Sequence, residues 1–201
     1  MSTVRAPRQA RSRATWARVL DAGVELLREG GYEAITIDAL CRRASATPPS
    51  IYARAGNKDG LLLAIYDHAM VQITTSAIDP DDPTWRDLPA ADVVRRAVGA
   101  LCRTWLQNAS LMRPIVHRAG RDREVFRRGS QASRDEARRF RAVLVRAGAT
   151  ESAADAVFRL TYAALVQRVM YGEGFESDVA LDEAALVELL TDVALRQLDL
   201  A

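Results

Sequence analysis

The chain has 201 residues, of which 49% are hydrophobic and 27% charged, and its formal net charge is +2. This size and balance are typical of a folded globular protein with one or two domains, and they exclude a disordered or low-complexity chain. No run of about 20 apolar residues is present, and no apolar segment follows the basic residues near the N-terminus. We therefore expect neither a membrane span nor a signal peptide, and a cytoplasmic location.

The side chains that most often carry catalysis or bind metals are few and scattered. The two cysteines, Cys41 and Cys102, do not stand at metal-ligand spacing with either histidine, His68 or His117. We expect both cysteines to be buried reduced thiols, and we expect no metal and no other cofactor. No Ser/His/Asp, Cys/His or paired-carboxylate arrangement is visible, so the sequence does not indicate an enzyme.

Apolar residues recur at three- and four-residue steps along most of the chain, which predicts an all-α fold with about nine helices and no strand. The first helix ends at Gly30-Gly31, and Thr36 and Thr47 are placed to cap the two short helices that follow. A proline-containing loop over 79–89 separates the first four helices from the rest. The predicted helices cover about 12–29, 36–44, 48–53, 58–77, 90–107, 111–119, 123–147, 152–171 and 182–198.

The second and third predicted helices form a recognisable pair. Two short helices that are joined by a tight turn and packed by a preceding helix make a helix-turn-helix, whose second helix fits the major groove of DNA. Many helical proteins contain such a pair, so the geometry alone does not establish DNA binding. The first 18 residues add a cluster of arginines without any acid, which favours phosphate, although a free basic tail is the alternative. These arginines are Arg5, Arg8, Arg11, Arg13 and Arg18.

Residues 30–68, GGYEAITIDALCRRASATPPSIYARAGNKDGLLLAIYDH, resemble the N-terminal region of the TetR family of transcriptional regulators. The matching features are Gly31-Tyr32, Thr36-Ile37, Ala44, Ile51-Tyr52, Lys58-Asp59 and Leu61-Leu62. The resemblance covers about residues 12–68 at the level of motifs, and the remainder only by length and helix count. It implies a three-helix helix-turn-helix DNA-binding domain over 1–58 and a helical effector-binding and dimerisation domain over 59–201.

The resemblance also implies which residues meet DNA. Residues matching Thr36, Thr47, Tyr52 and Lys58 contact the DNA backbone in this family. Thr36 and Thr47 stand at helix N-termini, where a hydroxyl and free amides can meet a phosphate. A plain capping role for the two threonines and a core role for Tyr52 are the alternatives.

The chain departs from the family pattern in the recognition helix. Pro48 and Pro49 cannot donate hydrogen bonds to bases, but they could pack on thymine methyl groups. Polar base contacts are then left to Thr47, Ser50 and either Arg42 or Arg43, while Arg54 could contact the backbone. The predicted DNA-binding residues are Thr36, Arg42, Arg43, Thr47, Pro48, Pro49, Ser50, Tyr52, Arg54 and Lys58.

The last two predicted helices favour a homodimer. Helix 152–171 is apolar on two sides and needs two packing partners, and the final helix carries an apolar stripe. Together they predict an isologous four-helix interface. Its candidate residues are Val157, Leu160, Ala164, Leu186, Leu189, Leu190 and Val193. A dimer would place two recognition helices about 34 Å apart and would require a palindromic operator in double-stranded DNA.

Side chains on the later helices are candidates for binding an unidentified small-molecule effector, although each alone is more typical of a core. They are Trp105, Met112, His117, Phe126, Phe140, Phe158, Tyr162 and Gln167. The arginine-rich stretch 118–141 is interpreted as a solvated helix face with the acid partners Asp122, Glu124, Asp135 and Glu136. The sequence thus predicts a repressor that an effector releases from DNA. A regulator without an effector, an activator, and a dimer of this fold that no longer reads DNA stay open as alternatives.

Overall fold

The computed structural model of the chain describes residues 8–74, 78–175 and 177–200. Within these ranges the chain forms nine α-helices and one short 3-10 turn at Pro83–Trp85, with no strand, so the predicted all-α fold is confirmed. The helices are α1 (Arg8–Ala34), α2 (Ile37–Ala44), α3 (Pro48–Ala55), α4 (Lys58–Thr74), α5 (Ala90–Gln107), α6 (Ala109–Ala119), α7 (Arg123–Arg146), α8 (Glu151–Tyr171) and α9 (Glu183–Gln197). Arg5 and the predicted end of the fourth helix, 75–77, lie outside the described residues. No helix in the described ranges is long and apolar enough to cross a membrane.

Contacts divide the chain into two compact units, the first ending at Gln72 and the second beginning at Ile73. The first unit includes most of α4, whereas the sequence analysis begins the C-terminal domain at residue 59. The limits of the functional domains stay a prediction.

The first unit is a small helical bundle in which α1 packs against α2 and α3. Its centre is formed by one apolar side chain from each helix: Leu27, Leu40, Ile51 and Ile65 have no exposed surface. Burying four such side chains stabilises the unit by about 1.5–3 kcal/mol each, before the cost of ordering the chain. The positions of α2 and α3 are therefore set by the packing against α1.

Three helix ends differ from the prediction by two residues or more. One is the start of α6, at Ala109 rather than at residue 111. α1 starts at Arg8 rather than near residue 12, because residues 8–11 are good helix formers. Its regular part ends as predicted, at a kink where Gly31 has φ 69°, a conformation that favours glycine. α3 continues to Ala55, two residues further than predicted, and is ended by Gly56.

The second unit is a bundle in which α5 packs against α7, α8 and α9, and α6 packs against α7 and α8. Leu101, Leu111 and Leu165 are among its fully buried side chains. Cys102 is buried as predicted, and burial raises the pKa of its thiol to about 11. Cys41, in α2 of the first unit, is only half-buried because Leu40 and Ala44 take the innermost positions of that helix.

Candidate nucleic-acid interface

α2 and α3 are joined by the three residues 45–47. The hydroxyl oxygen of Thr36 caps α2 by accepting a hydrogen bond from the N–H of Ala39 at 3.2 Å. α2 ends at Ser45, whose left-handed conformation (φ 49°, ψ 49°) turns the chain toward α3. With α1 packed against both helices, the arrangement is a helix-turn-helix.

The N-terminus of α3 has its backbone amides satisfied within the chain. The hydroxyl of Ser50 accepts a hydrogen bond from the N–H of Thr47 at 3.1 Å and donates one to the Thr47 carbonyl at 2.7 Å. Pro48 and Pro49 fill the first two helical positions and have no N–H. The N–H groups of Ser50 and Ile51 both donate to the Thr47 carbonyl. The free amides expected beside Thr47 are therefore absent. The two prolines have no N–H, and the other N–H groups of this turn donate to the Ser50 hydroxyl or the Thr47 carbonyl.

The remaining face of α3 is open. Tyr52 is 40% exposed, whereas the preceding residue, Ile51, is fully buried. Ala53 and Arg54 are exposed as well, and the guanidinium of Arg54 donates to the hydroxyl of Ser12 in α1 at 3.1 Å. The predicted contact residues Thr47, Pro48, Pro49 and Ser50 are also exposed.

The junction between α3 and α4 is close-packed at its backbone. Asn57 caps α4 by accepting a hydrogen bond from the N–H of Gly60 at 2.8 Å. A Cβ atom at Gly60 would lie only 2.2 Å from the carbonyl oxygen of Ala55, so only glycine fits there. Lys58, the first residue of α4, is exposed beside this junction.

The two arginines of α2 have different surroundings. Arg43 makes two hydrogen bonds to the carboxylate of Glu29, at 2.5 and 2.9 Å, and lies 3.6 Å from Glu25. Hydrogen bonding to Arg43 holds the pKa of Glu29 below its usual value. Arg42 is exposed and has no ion pair within the described part of the chain. Of the two candidates for a base contact, Arg42 is therefore the one left available.

Arg18 has a structural role that was not predicted. Its Nε donates to the carbonyl of Ala44 at 3.1 Å, and its Nη2 donates to the hydroxyl of Thr15 at 3.2 Å. The bond to Ala44 fixes the last turn of α2 to α1, where the negative end of the helix dipole favours a cation. From the sequence, Arg18 belongs only to the basic cluster, because nothing in the spacing pairs it with a residue 26 positions away.

Four of the candidate effector residues come together inside the second unit. The Trp105 and Tyr162 rings meet edge to face with centroids 5.0 Å apart. Phe158 lies 5.5 Å from Tyr162 and 5.6 Å from Phe140. The hydroxyls of Tyr162 and Ser133 are 2.7 Å apart, a contact the sequence did not predict. We call these four rings the aromatic cluster.

The other four candidates are distributed differently. Met112 is buried and Gln167 is half-buried, whereas His117 and Phe126 are exposed. A cleft of about 370 Å³ opens between α7 and α8, with Ser133, Phe158 and Tyr162 among its lining residues.

Glu136, interpreted as a solvated partner of arginines, is instead partly buried next to the aromatic cluster. Burial raises the pKa of its carboxyl group, and the nearby Arg139 guanidinium and Trp105 indole N–H oppose this rise. The indole nitrogen of Trp105 is buried and makes no hydrogen bond of good geometry with any residue that the structure describes. The other three acids behave as expected: Asp122 pairs with Arg118, Glu124 with Arg127 and Arg128, and Asp135 with Arg138.

The candidate dimer residues fall into two groups. Val157, Leu186 and Leu190 are buried within the chain itself. Leu160, Leu189 and Val193 are 53%, 47% and 42% exposed, and Ala164 is half-buried. The exposed members lie on α8 and α9, two helices that pack against each other, and we call these exposed apolar residues the α8/α9 face.

Part of the chain matches a family of known proteins. Residues 19–65 match the family described as bacterial regulatory proteins, tetR family. An uncharacterized HTH-type transcriptional regulator of Mycobacterium bovis is 31% identical over 105 residues, which cover 52% of this chain and 48% of that protein. The chain thus spans about half the length of the curated relatives it matches.

Solved structures share the fold over nearly the whole chain. A TetR transcription regulator from Haloarcula marismortui has a TM-score of 0.67 at 17% identity, covering 94% of this chain and 97% of that one. A TetR transcriptional regulator from Agrobacterium tumefaciens has a TM-score of 0.64 at 22% identity, covering 92% and 93%. At these identities the likeness concerns the fold. The match over residues 19–65 confirms the predicted resemblance of the N-terminal part of the chain to the TetR family of bacterial regulatory proteins.

Proposed function

We propose that the chain is a cytoplasmic transcriptional repressor that binds a palindromic DNA operator as a homodimer and is released by a small-molecule effector. The observation that carries the proposal is the open face of α3, which is positioned by α1 and the α3–α4 junction. It is flanked by Arg42 and Lys58, which are exposed and form no ion pair among the described residues. A short exposed helix supported in this way fits the major groove.

Side chains supply the proposed phosphate contacts. Thr47 is exposed at the N-terminal end of α3, Tyr52 along its second half, and Lys58 just beyond its C-terminal end. Arg42 is exposed on α2. Thr36, at the N-terminus of α2, is exposed too. Exposed lysine and arginine side chains contribute affinity by releasing counterions from the DNA. These contacts would fix the register in which α3 enters the groove.

A second copy of the chain is the proposed partner of the α8/α9 face. Leu160, Leu189 and Val193 leave apolar side chains in water, and an isologous contact would cover them in both copies at once. Two recognition helices related by a two-fold axis read a palindrome, because each helix alone covers only a few base pairs.

The proposed effector site is the aromatic cluster with its adjoining cleft. Phe158 and Tyr162 offer apolar ring surface, while Glu136, Ser133 and the Trp105 indole N–H offer a few polar groups. This combination is typical of small-molecule sites. An effector that binds better to a conformation unable to fit DNA would release the repressor.

The test is fluorescence anisotropy with a duplex enriched by the protein from random-sequence DNA, at two salt concentrations. The expected result is saturable binding that resists competitor DNA and weakens with salt. Lys58→Gln and Arg42→Gln should weaken binding. Arg95→Gln, which removes an exposed arginine of the second unit, is the matched control and should not. Failure to enrich any sequence would overturn DNA reading and favour the open alternative, a dimer of this fold without specific DNA binding.

A further inference from the structure

We propose that α3 reads thymine through apolar contact between the rings of Pro48 and Pro49 and thymine 5-methyl groups. The inference rests on the proposed function and assigns the residues that decide which bases are selected. It makes Pro48 and Pro49 specificity-determining, although neither can form a hydrogen bond with a base.

Three of the polar side chains that could read bases at this end of the unit, Ser50, Arg43 and Arg54, are already engaged. Both the donor and an acceptor position of the Ser50 hydroxyl are used by the Thr47 backbone. Arg43 is held by Glu29, and Arg54 is bonded to Ser12. Diverting any of them to a base would break a hydrogen bond within the chain, which offsets the gain.

The exposed groups that remain at the N-terminal end of α3 are mainly apolar. Pro48 and Pro49 are exposed, and their rings are rigid, so little side-chain entropy is lost when they are covered. Ala53, one turn further along, is exposed and apolar as well. The surface that α3 presents around its first turn is therefore a small, rigid hydrocarbon patch.

In the major groove, the thymine 5-methyl group is the feature that matches a hydrocarbon patch. Adenine, guanine and cytosine present hydrogen-bonding groups there. A proline ring set against one of those groups would displace water without replacing its hydrogen bond, which is unfavourable. Against a methyl group the same displacement of water is favourable. The proline rings would thus favour thymine in two ways, by the contact with its methyl group and by the unfavourable contact with the other three bases.

Arg42 completes the arrangement. Among the three arginines of α2 and α3, Arg42 alone lacks an intramolecular hydrogen bond or ion pair in the described residues. A guanidinium can pair with phosphate or with guanine. We assign it to positioning the unit, with Pro48 and Pro49 selecting the neighbouring thymine.

The experiment removes single methyl groups from DNA. A duplex is enriched from random-sequence DNA by the full-length protein, and each thymine is then replaced, one at a time, by 2′-deoxyuridine, which lacks only the 5-methyl group. We expect that at one thymine or more in each half-site the replacement raises Kd about fourfold. This is the change in Kd that follows from losing the burial of one methylene-sized group. Replacing it in both half-sites should raise Kd about fifteenfold.

Protein variants separate a proline contact from an effect on DNA shape. Pro48→Ala with Pro49→Ala should bind the thymine duplex more weakly and no longer distinguish thymine from deoxyuridine. Pro83→Ala, which removes a proline of the second unit, should keep the full difference. Circular dichroism checks that the double variant retains its helices.

Three outcomes would overturn the inference. The enriched duplex could tolerate deoxyuridine at every position while binding specifically, in which case the proposed function stands and thymine reading fails. The deoxyuridine effect could persist unchanged in the double variant, which would assign it to DNA shape. Failure to enrich any sequence would remove the proposed function and this inference together.

Discussion

Replacing Gly60 by alanine should disturb the first unit where α3 meets α4. The added Cβ would stand 2.2 Å from the carbonyl oxygen of Ala55, well under the 3.0 Å that such contacts require. The obstructing atom belongs to the backbone of the last residue of α3, so no side chain can move aside. Either α3 or the start of α4 must shift.

The magnitude follows from two opposing terms. Alanine in place of glycine stabilises a helix interior by about 1 kcal/mol. Overpacking against a fixed neighbour costs about 1–3 kcal/mol, and a backbone neighbour places this case at the upper end. The net loss should be about 2 kcal/mol, or about 4–8 °C in Tm for a chain of this size. Because the shift moves α3, the Kd for the enriched duplex should rise about tenfold through lost contacts.

Thermal unfolding and DNA titration of Gly60→Ala measure both effects. Gly120→Ala is the matched control. Its Cβ would lie 3.5 Å from the nearest atom, the His117 carbonyl oxygen, and Gly120 has a φ of −66°, which alanine adopts without strain. That variant should be more stable by about 0.4–1 kcal/mol and bind DNA normally. If Gly60→Ala is as stable as the unaltered protein, the close approach of α3 and α4 is refuted.

Four further predictions concern single side chains. Arg42→Gln should lower DNA affinity and reduce the salt slope by about one unit per protomer, whereas Arg43→Gln should leave the slope unchanged, which salt titrations would reveal. Tyr52→Phe should raise Kd about tenfold by removing one hydrogen bond to a phosphate, without altering Tm; an unchanged Kd would assign Tyr52 to packing. Leu189→Asp with Val193→Asp should yield monomers in sedimentation equilibrium, whereas Val179→Asp, 73% exposed in the loop before α9, should not. Glu124 has its pKa lowered from 4.5 to about 2 by hydrogen bonds from Arg127 and Arg128, so its stabilisation is present above pH 4.5 and lost as the pH falls toward 2. Glu124→Gln should therefore be less stable at pH 7 and nearly equal to the unaltered protein near pH 2 in denaturant titrations.

The fold could be predicted because its determinants are local. Apolar spacing fixes the helices, and Thr36 and the Gly30-Gly31 pair mark where they begin and end. The resemblance over residues 30–68 added the expectation that the helix pair binds DNA, which spacing alone cannot provide. The helix ends that were misplaced, at α1, α3 and α6, depend on a few tenths of a kcal/mol per residue.

The side-chain pairings could not be predicted because they join distant positions. Arg43 meets Glu29 only after α1 and α2 pack, and Arg18 reaches the carbonyl of Ala44 for the same reason. Glu136 has the sequence surroundings of a solvated acid, yet packing of α7 turns it toward Trp105. Leu160 and Val157 stand on one predicted apolar side of α8, but the bundle buries only Val157.

The two prolines of α3 have one further consequence for how DNA is held. A helix N-terminus normally offers free N–H groups to a phosphate. Here Pro48 and Pro49 have none, and the N–H groups of Thr47 and Ser50 bond within the turn. In the proposed complex, phosphate binding near α3 would therefore come from side chains, and the contacts made by Arg42 and Lys58 would be weakened by salt. The two prolines that would give α3 an apolar reading surface would thus also transfer its anchoring to cations outside the helix, so the expected salt dependence and the proposed thymine preference would have one structural origin.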